Sequence, residues 1–370
     1  MHMNKNILVA PLNWGLGHAT RCVPIIRAII DSANNPIIAS DGNALLYLKK
    51  EFPNLTFVEL PSYNISYPLN GNHFKLKLLK DSPKIWSALR SEHTRLKTII
   101  QEYAIDLVIS DNRLGLFSDI VPTVFITHQL NVLSGSTTWL STQLHAHFIK
   151  KFNYCWIPDY EENTLAGRLS NSENLKIDKV YIGPLSRLSY TQSTKFKYDL
   201  LILLSGPEPQ RTVLENKLRK QLVGYTGKVL FVSGKMQGKQ KVKKVGKITY
   251  YNYLTASGIQ KALDRSKIVL CRSGYSTIMD LHQLRKKAFF IPTPGQFEQE
   301  YLAEYLEDKK IAPYSSQDEF TIQLLSKVDD YNGFSISQSF STSTSISSTL
   351  EEAFSRVNEN SEPIPNSLST

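Results

Sequence analysis

Five short segments carry residue types that could do chemistry on a charged, hydroxyl-rich molecule. The first is Asn13-Trp14-Gly15-Leu16-Gly17-His18-Ala19-Thr20-Arg21, directly after an apolar run. Gly15 and Gly17 let a backbone turn tightly and come close to a ligand. The helix expected next offers free N–H groups, a site for negative charge. His18 at its start could serve as a general base near neutral pH. The third glycine of a dinucleotide-binding fingerprint is missing, because Thr20 stands there. A capping loop with an incidental histidine is the bland alternative.

The second segment is Cys271-Arg272-Ser273-Gly274-Tyr275-Ser276-Thr277-Ile278-Met279-Asp280-Leu281. Ser273, Gly274, Ser276 and Thr277 bring hydroxyls and backbone donors to a helix start, a setting suited to phosphate. Asp280, one turn beyond Thr277, is placed to accept from sugar hydroxyls. An ordinary N-cap is the alternative. In Pro292-Thr293-Pro294-Gly295-Gln296-Phe297-Glu298-Gln299-Glu300, Gln296, Glu298, Gln299 and Glu300 offer amides and carboxylates to a polyol. Thr127-His128-Gln129-Leu130-Asn131 puts polar groups at a strand tip. Leu204-Ser205-Gly206-Pro207-Glu208-Pro209-Gln210-Arg211 adds Arg211, which could help neutralise a diphosphate or lie on the surface.

These segments need strand tips to hold them. Strands are expected at Ile7–Ala10, Pro36–Ser40, Thr56–Leu60, Asp106–Ser110 and Thr123–Thr127, with helices near 18–32, 42–51, 83–103 and 137–150. Strand-helix alternation of this kind reads as a parallel sheet covered on both faces. The pattern restarts with strands at Asp199–Leu204, Lys228–Ser233, Ile268–Cys271 and Ala288–Pro292, and helices near 210–223, 256–265, 275–286 and 297–309. The expected organisation is an α/β protein of two Rossmann-like, doubly wound domains. They span 4–183 and 199–332, joined by a polar linker at 184–198. A Ser/Thr-rich tail at 333–370 holds one helix, in which Leu350, Ala353, Phe354 and Val357 recur at helical spacing.

Length and composition agree. A chain of 370 residues with 41% hydrophobic and 21% charged residues has material for about two cores. No apolar run approaches the ~20 residues of a membrane span, and the N-terminus lacks a signal-peptide pattern. Cys22, Cys155 and Cys271 are odd in number and far apart, which fits neither a disulfide framework nor a zinc site and suits a reducing cytoplasm. The net charge of +10 favours anionic partners. Residues 205–247 hold eleven Lys or Arg against two acids, and 73–97 hold seven against two. The segment 74–97 mixes these cations with Phe74, Leu76, Leu78, Leu79, Ile85, Trp86 and Leu89, so it could rest on the inner face of an anionic membrane. A basic surface helix with a buried apolar stripe explains it equally well. A nucleic-acid partner is not expected, since no recognisable module accompanies the basic run.

Taken in order, the five loops resemble the GT-B glycosyltransferases of the MurG type, which are similar to glycosyltransferase family 28, over roughly residues 5–330. That resemblance implies two facing domains and transfer of a sugar, with N-acetylglucosamine as the family's own, from a UDP-sugar to a lipid-linked hydroxyl. It implies donor contacts from Ser205, Gly206, Arg211, Arg272, Ser273, Gly274, Ser276, Thr277, Asp280, Gln296 and Gln299. Acceptor-side roles fall to Gly15, Gly17, His128 and Asn131, with His18 catalytic. No metal or cofactor is expected, because no DxD-like pair lies in a suitable loop. The sequence departs from the family at Arg21 and at Glu300, where a second glutamine is common. The Gly15–Arg21 string also resembles a nucleotide-sugar hydrolase on the same fold, so hydrolysis stays open beside inverting transfer. A 2-epimerase and a non-catalytic anion or nucleic-acid binder are further alternatives.

Overall fold

The computed structural model describes residues 4–63, 74–135, 138–171, 175–192, 195–235, 238–334, 346 and 348–353, with only the backbone of 74–83 and 85. The expected contacts of Phe74, Leu76, Leu78, Leu79 and Ile85, most of the Ser/Thr-rich stretch, and Phe354 and Val357 lie outside the described residues.

The first half forms a seven-stranded, wholly parallel sheet in the order β3-β2-β1-β4-β5-β6-β7. Its strands are β1 (Asn6–Pro11), β2 (Asn35–Ser40), β3 (Thr56–Glu59), β4 (Leu107–Asp111), β5 (Thr123–Ile126), β6 (Tyr154–Ile157) and β7 (Asp178–Tyr181). Helices α1 (Gly17–Asp31), α2 (Gly42–Glu51), α3 (Phe74–Glu102) and α4 (Thr138–Ile149) accompany them. Side chains of a strand alternate between faces, and β1 shows the result. Ile7 and Val9 pack with Cys22, Ile26 and Ile29 of α1, while Leu8 and Ala10 pack with Leu96, Ile99 and Ile100 of α3. Both faces are therefore covered, as a parallel sheet requires.

The second half repeats the plan in six strands, β10-β11-β9-β8-β12-β13. They are β8 (Tyr198–Leu203), β9 (Val229–Val232), β10 (Val242–Val245), β11 (Ile248–Tyr251), β12 (Ser266–Cys271) and β13 (Lys287–Phe290). Helices α5 (Gln210–Gln221), α6 (Ala256–Asp264), α7 (Tyr275–Gln283) and α8 (Phe297–Asp308) complete it. All pairs are parallel except β10 with β11. That hairpin is an element the sequence reading does not anticipate. Its outer strand, Val242-Lys243-Lys244-Val245, is exposed throughout, and lysines on an edge strand discourage further pairing. The four-residue strands β6 and β7 were likewise unanticipated.

One core cluster runs through both halves, joining Leu165, Ala166 and Leu169 of the first to Tyr275, Met279, Leu302 and Leu306 of the second. The chain also crosses back at its end. Leu350 and Ala353 are buried in this same cluster, and Ala353 with Thr349 lies against Tyr154, Trp156 and Val180 of the first sheet. No helix among the described residues is long and apolar enough to cross a membrane.

Candidate active site

In open α/β sheets, ligands bind beyond the carboxyl ends of the strands where the strand order reverses. The first sheet reverses between β1 and β4, and the second between β8 and β12. The loops leaving these four strands are therefore the positions to examine. Three of them were marked by the sequence, and the fourth, after β4, was not.

Leaving β1, the chain turns at Gly15, with φ +76°, and enters α1 at Gly17. A Cβ on Gly17 would sit 2.6 Å from Ser276 Oγ, so the first turns of α1 and α7 meet here and a side chain at 17 would displace the Ser276 hydroxyl. His18 follows immediately. Its Nδ1 lies 2.9 Å from Oδ1 of Asp111, the last residue of β4, and 2.9 Å from Arg21 Nη2. Arg21 also grips Asp111 with both Nη2 and Nε, the latter at 2.7 Å, and Cys22 Sγ lies 3.5 Å from the same carboxylate. Asp111 and Arg21 are buried. Burial would raise the Asp111 pKa, but the Arg21 guanidinium, helped by the His18 hydrogen bond, holds it well below the usual carboxylate range. Burial lowers the His18 pKa, and Asp111 only partly offsets that. His18 is thus neutral at pH 7 and paired with an ionised carboxylate.

A second buried network fixes the loops around this pair. Arg113 donates to Asp41 (2.7 Å), to the Pro61 carbonyl (2.7 Å) and to Glu92. Glu92 also accepts from Tyr63 (2.5 Å) and the Gly115 N–H (3.1 Å). Asp41 accepts from Asn13 Nδ2 at 3.1 Å, which ties the first loop to the network.

His128 and Asn131 serve as connectors here. His128 Nδ1 faces Arg21 Nη1 at 3.3 Å, and Nε2 faces Glu298 of α8 at 2.8 Å. Its ring stacks on Tyr275 with centroids 4.1 Å apart. Asn131 spends its amide on the Arg168 and Asn171 carbonyls and so holds the turn at 167–171. That turn docks on α8, where the Arg168 N–H donates to Tyr301 Oη at 2.9 Å.

On the opposite side, Ser205 and Gly206, with Gly206 at φ +100°, form an exposed turn after β8. Gly274 precedes α7, and a Cβ there would meet nothing within 4 Å. The N-cap residues of α1, α7 and α8 make no side-chain cap, which leaves first-turn N–H groups there for negative charge, whereas the Thr212 N–H of α5 is taken by Glu208 at 3.2 Å. Ser276 and Thr277 lie half-buried in the first turn of α7.

Arg272 and Arg211 take a different geometry from the one expected. Arg272 is buried behind the loop and donates to the carbonyls of Ile291, Pro292 and Gln210 and to Gln317 Oε1. Burial pushes its pKa down to about 10. Arg211 is turned to Glu208, Glu215 and the Ser233 carbonyl. Both brace the donor-side loops from within. Ser273 likewise donates to the Gln299 carbonyl at 2.7 Å. Gln299 accepts the Thr293 N–H (2.9 Å) and donates to Gln296. Asp280 accepts from Ser186 at 2.6 Å, and burial raises its pKa to about 6 against the pull of Arg187.

Two sheets with opposed switch points and a shared cleft are the GT-B arrangement, and solved glycosyltransferases have the same fold. Spinosyn forosaminyltransferase SpnP superposes with a TM-score of 0.63 at 13% identity, covering 97% of this chain and all of that one. SnogD of Streptomyces nogalater gives 0.63 at 11%, covering 96% and 100%. Acinetobacter baumannii MurG gives 0.50 at 13%, covering 89% and 92%. Residues 208–356 match the glycosyltransferase family 28 C-terminal domain. Over 257 residues, the chain is 24% identical to a Buchnera aphidicola (subsp. Schizaphis graminum) protein, covering 64% of this chain and 67% of that one. That protein is a UDP-N-acetylglucosamine--N-acetylmuramyl-(pentapeptide) pyrophosphoryl-undecaprenol N-acetylglucosamine transferase. The protein is thus a glycosyltransferase of the GT-B fold. Its C-terminal half carries the family 28 domain, and its sequence is MurG-like.

Asp111 and Glu298 complete the site, yet the sequence reading gave Asp111 no role and Glu298 only one among several polyol contacts. The available signal for Asp111 was an acid closing an apolar run, Leu107-Val108-Ile109-Ser110-Asp111.

Proposed function

We propose that this enzyme moves a sugar from a UDP-sugar, N-acetylglucosamine being the one its relative's name suggests, to a hydroxyl acceptor with inversion. The observation that carries the proposal is the His18–Asp111 pair set against the first turn of α7. The ionised Asp111 carboxylate, 2.9 Å from Nδ1, can only accept, so His18 donates Nδ1–H to it and turns Nε2 outward as the base. That nitrogen takes the acceptor proton while the acceptor oxygen bonds to the anomeric carbon. As the bond to UDP breaks, its diphosphate gains charge. Exposed amides at Ser205, Gly206 and the start of α7 are suited to stabilise it, with Ser276 and Thr277 hydroxyls close by. Asp280 is suited to the ribose, and Gln296 and Gln299 to the sugar. Helix dipoles and amides supply this stabilisation without a metal ion.

A lipid-linked acceptor fits the surface of the first half. Trp86, Trp139, Leu140 and Leu144 are exposed on α3 and α4, with Trp139 73% exposed, and Lys84, Arg90, Lys150 and Lys151 are exposed nearby in sequence. Aromatic and apolar side chains flanked by cations suit an interfacial, peripheral contact.

The test is UDP release and product analysis with UDP-N-acetylglucosamine in buffer containing EDTA. Wild-type protein should bind UDP, seen as a raised melting temperature. His18→Ala should retain that binding and lose roughly 10²–10⁴-fold in kcat. Full turnover to free sugar without acceptor would identify a hydrolase instead, and turnover abolished by EDTA would refute metal independence.

A further inference from the structure

The two halves meet through a file of polar groups that ends on the base. Glu298 stands in the first turn of α8, in the half read as binding donor. Its Oε1 is 2.8 Å from His128 Nε2, and its other oxygen accepts from Gln129. His128 Nδ1 is 3.3 Å from Arg21 Nη1. Arg21 clamps both oxygens of Asp111, and Asp111 holds His18 Nδ1 at 2.9 Å.

The geometry points to Glu298 as a positioning residue for His18, supplied across the cleft, so that the base is fixed only while the two halves are together. This deepens the transferase reading and rests on it. The Glu298 carboxylate can only accept, so the His128 ring carries its proton on Nε2 and turns Nδ1 to Arg21 as an acceptor. That proton needs an acceptor in a buried site, and Glu298 is the group that supplies it. Stacking on Tyr275, whose hydroxyl donates to the Pro158 carbonyl at 2.8 Å, keeps the ring from turning away. Without Glu298 the Nε2–H is orphaned, the ring can rotate, and Arg21 loses the contact that sets its Nη1. Asp111 and His18 then lose a fixed anchor. The next residue along α8, Gln299, holds the N–H of Thr293 in the loop after β13. One helical turn therefore bears on the donor loop and on the base together.

The experiment compares Glu298→Ala, Glu298→Gln and Glu298→Asp with wild type, each as the full chain. Calorimetry gives the Kd for UDP, and UDP release from UDP-N-acetylglucosamine gives kcat and KM. Misplacing a reacting group by about 1 Å can cost ~10²-fold. E298A should therefore lose about 10- to 100-fold in kcat with its UDP Kd within about twofold of wild type. E298Q should recover most of the loss, because an amide oxygen still accepts from His128. If E298A shows no cooperative melting, Glu298→Asp carries the same test, with lowered kcat at unchanged UDP affinity. Wild-type kcat in E298A or E298D, or a loss confined to UDP affinity, overturns the inference. A dead His18→Ala beside a normal E298A removes only the positioning role. A fully active His18→Ala removes the base assignment and this inference with it.

Discussion

The two switch points of this molecule are built from opposite materials. Beyond β1 and β4, the first half gathers titratable side chains, with half-buried His18 on buried Arg21 and Asp111 in one group and buried Asp41, Glu92 and Arg113 in another. Beyond β8 and β12, the second half offers glycine turns, hydroxyls and the uncapped start of α7. Its buried arginines brace loops from behind: Arg272 rests on carbonyl and amide oxygens, and Arg211 on Glu215 and the Ser233 carbonyl. On the mechanism proposed above, the contrast follows from two tasks. Relaying a proton requires titratable groups whose pKa values are set by neighbours. Cradling a highly charged diphosphate is better done by fixed dipoles, which neither titrate nor need neutralising.

The sharpest way to break this comparison is on the titrating side. Asp111→Asn keeps the shape of the site but removes the carboxylate that fixes the His18 tautomer. Transfer should fall roughly 10²–10⁴-fold in kcat, with UDP affinity retained. A proportionate loss of UDP affinity would mean that the two halves do not divide their work. Next comes the scaffold. Glu92→Ala leaves Arg113 buried with one partner fewer, and breaking such a pair costs about 3–5 kcal/mol, read by denaturant unfolding. An unfolding free energy within about 1 kcal/mol of wild type would show that Asp41 alone suffices for Arg113.

The smallest effect sharpens the donor side. Burial sets Asp280 at about 6, and only its carboxylate form accepts two hydroxyls. The donor KM should therefore rise a few-fold as pH falls through about 6, and Asp280→Asn should flatten that step. The kcat should hold down through the usual histidine range, because burial lowers the His18 pKa. A KM that stays level from pH 8 to pH 5 would remove Asp280 from ribose binding.

Much of this was legible from residue pattern. β-branched runs followed by glycine or serine marked β1, β8 and β12, and these strands do end at the cleft. What stayed hidden depends on strand order. Asp111 is the residue after an expected strand at 106–110, followed by Asn112, and alone it reads as an ordinary turn. It becomes a partner of His18 only because β4 lies beside β1, a neighbour 100 residues away in sequence. Arg211 and Arg272 were visible as cations, but a cation's counterparts are chosen by packing. Their direction toward Glu215 and the Ile291–Pro292 carbonyls could not be read from spacing. The β10–β11 hairpin was masked by its lysines, which hide the alternation that marks a strand. His128 was located correctly in the chain, yet its bridge to Glu298 spans 170 positions.

The return of the last described segment to the first sheet gives the polypeptide the form of a loop fastened at its own beginning. Ala353 sits against Tyr154 and Trp156, so neither lobe is a free-standing module at the end of a tether. Cutting the chain after Phe334 would bare an aromatic face on the first lobe and remove the second strand of connection between them.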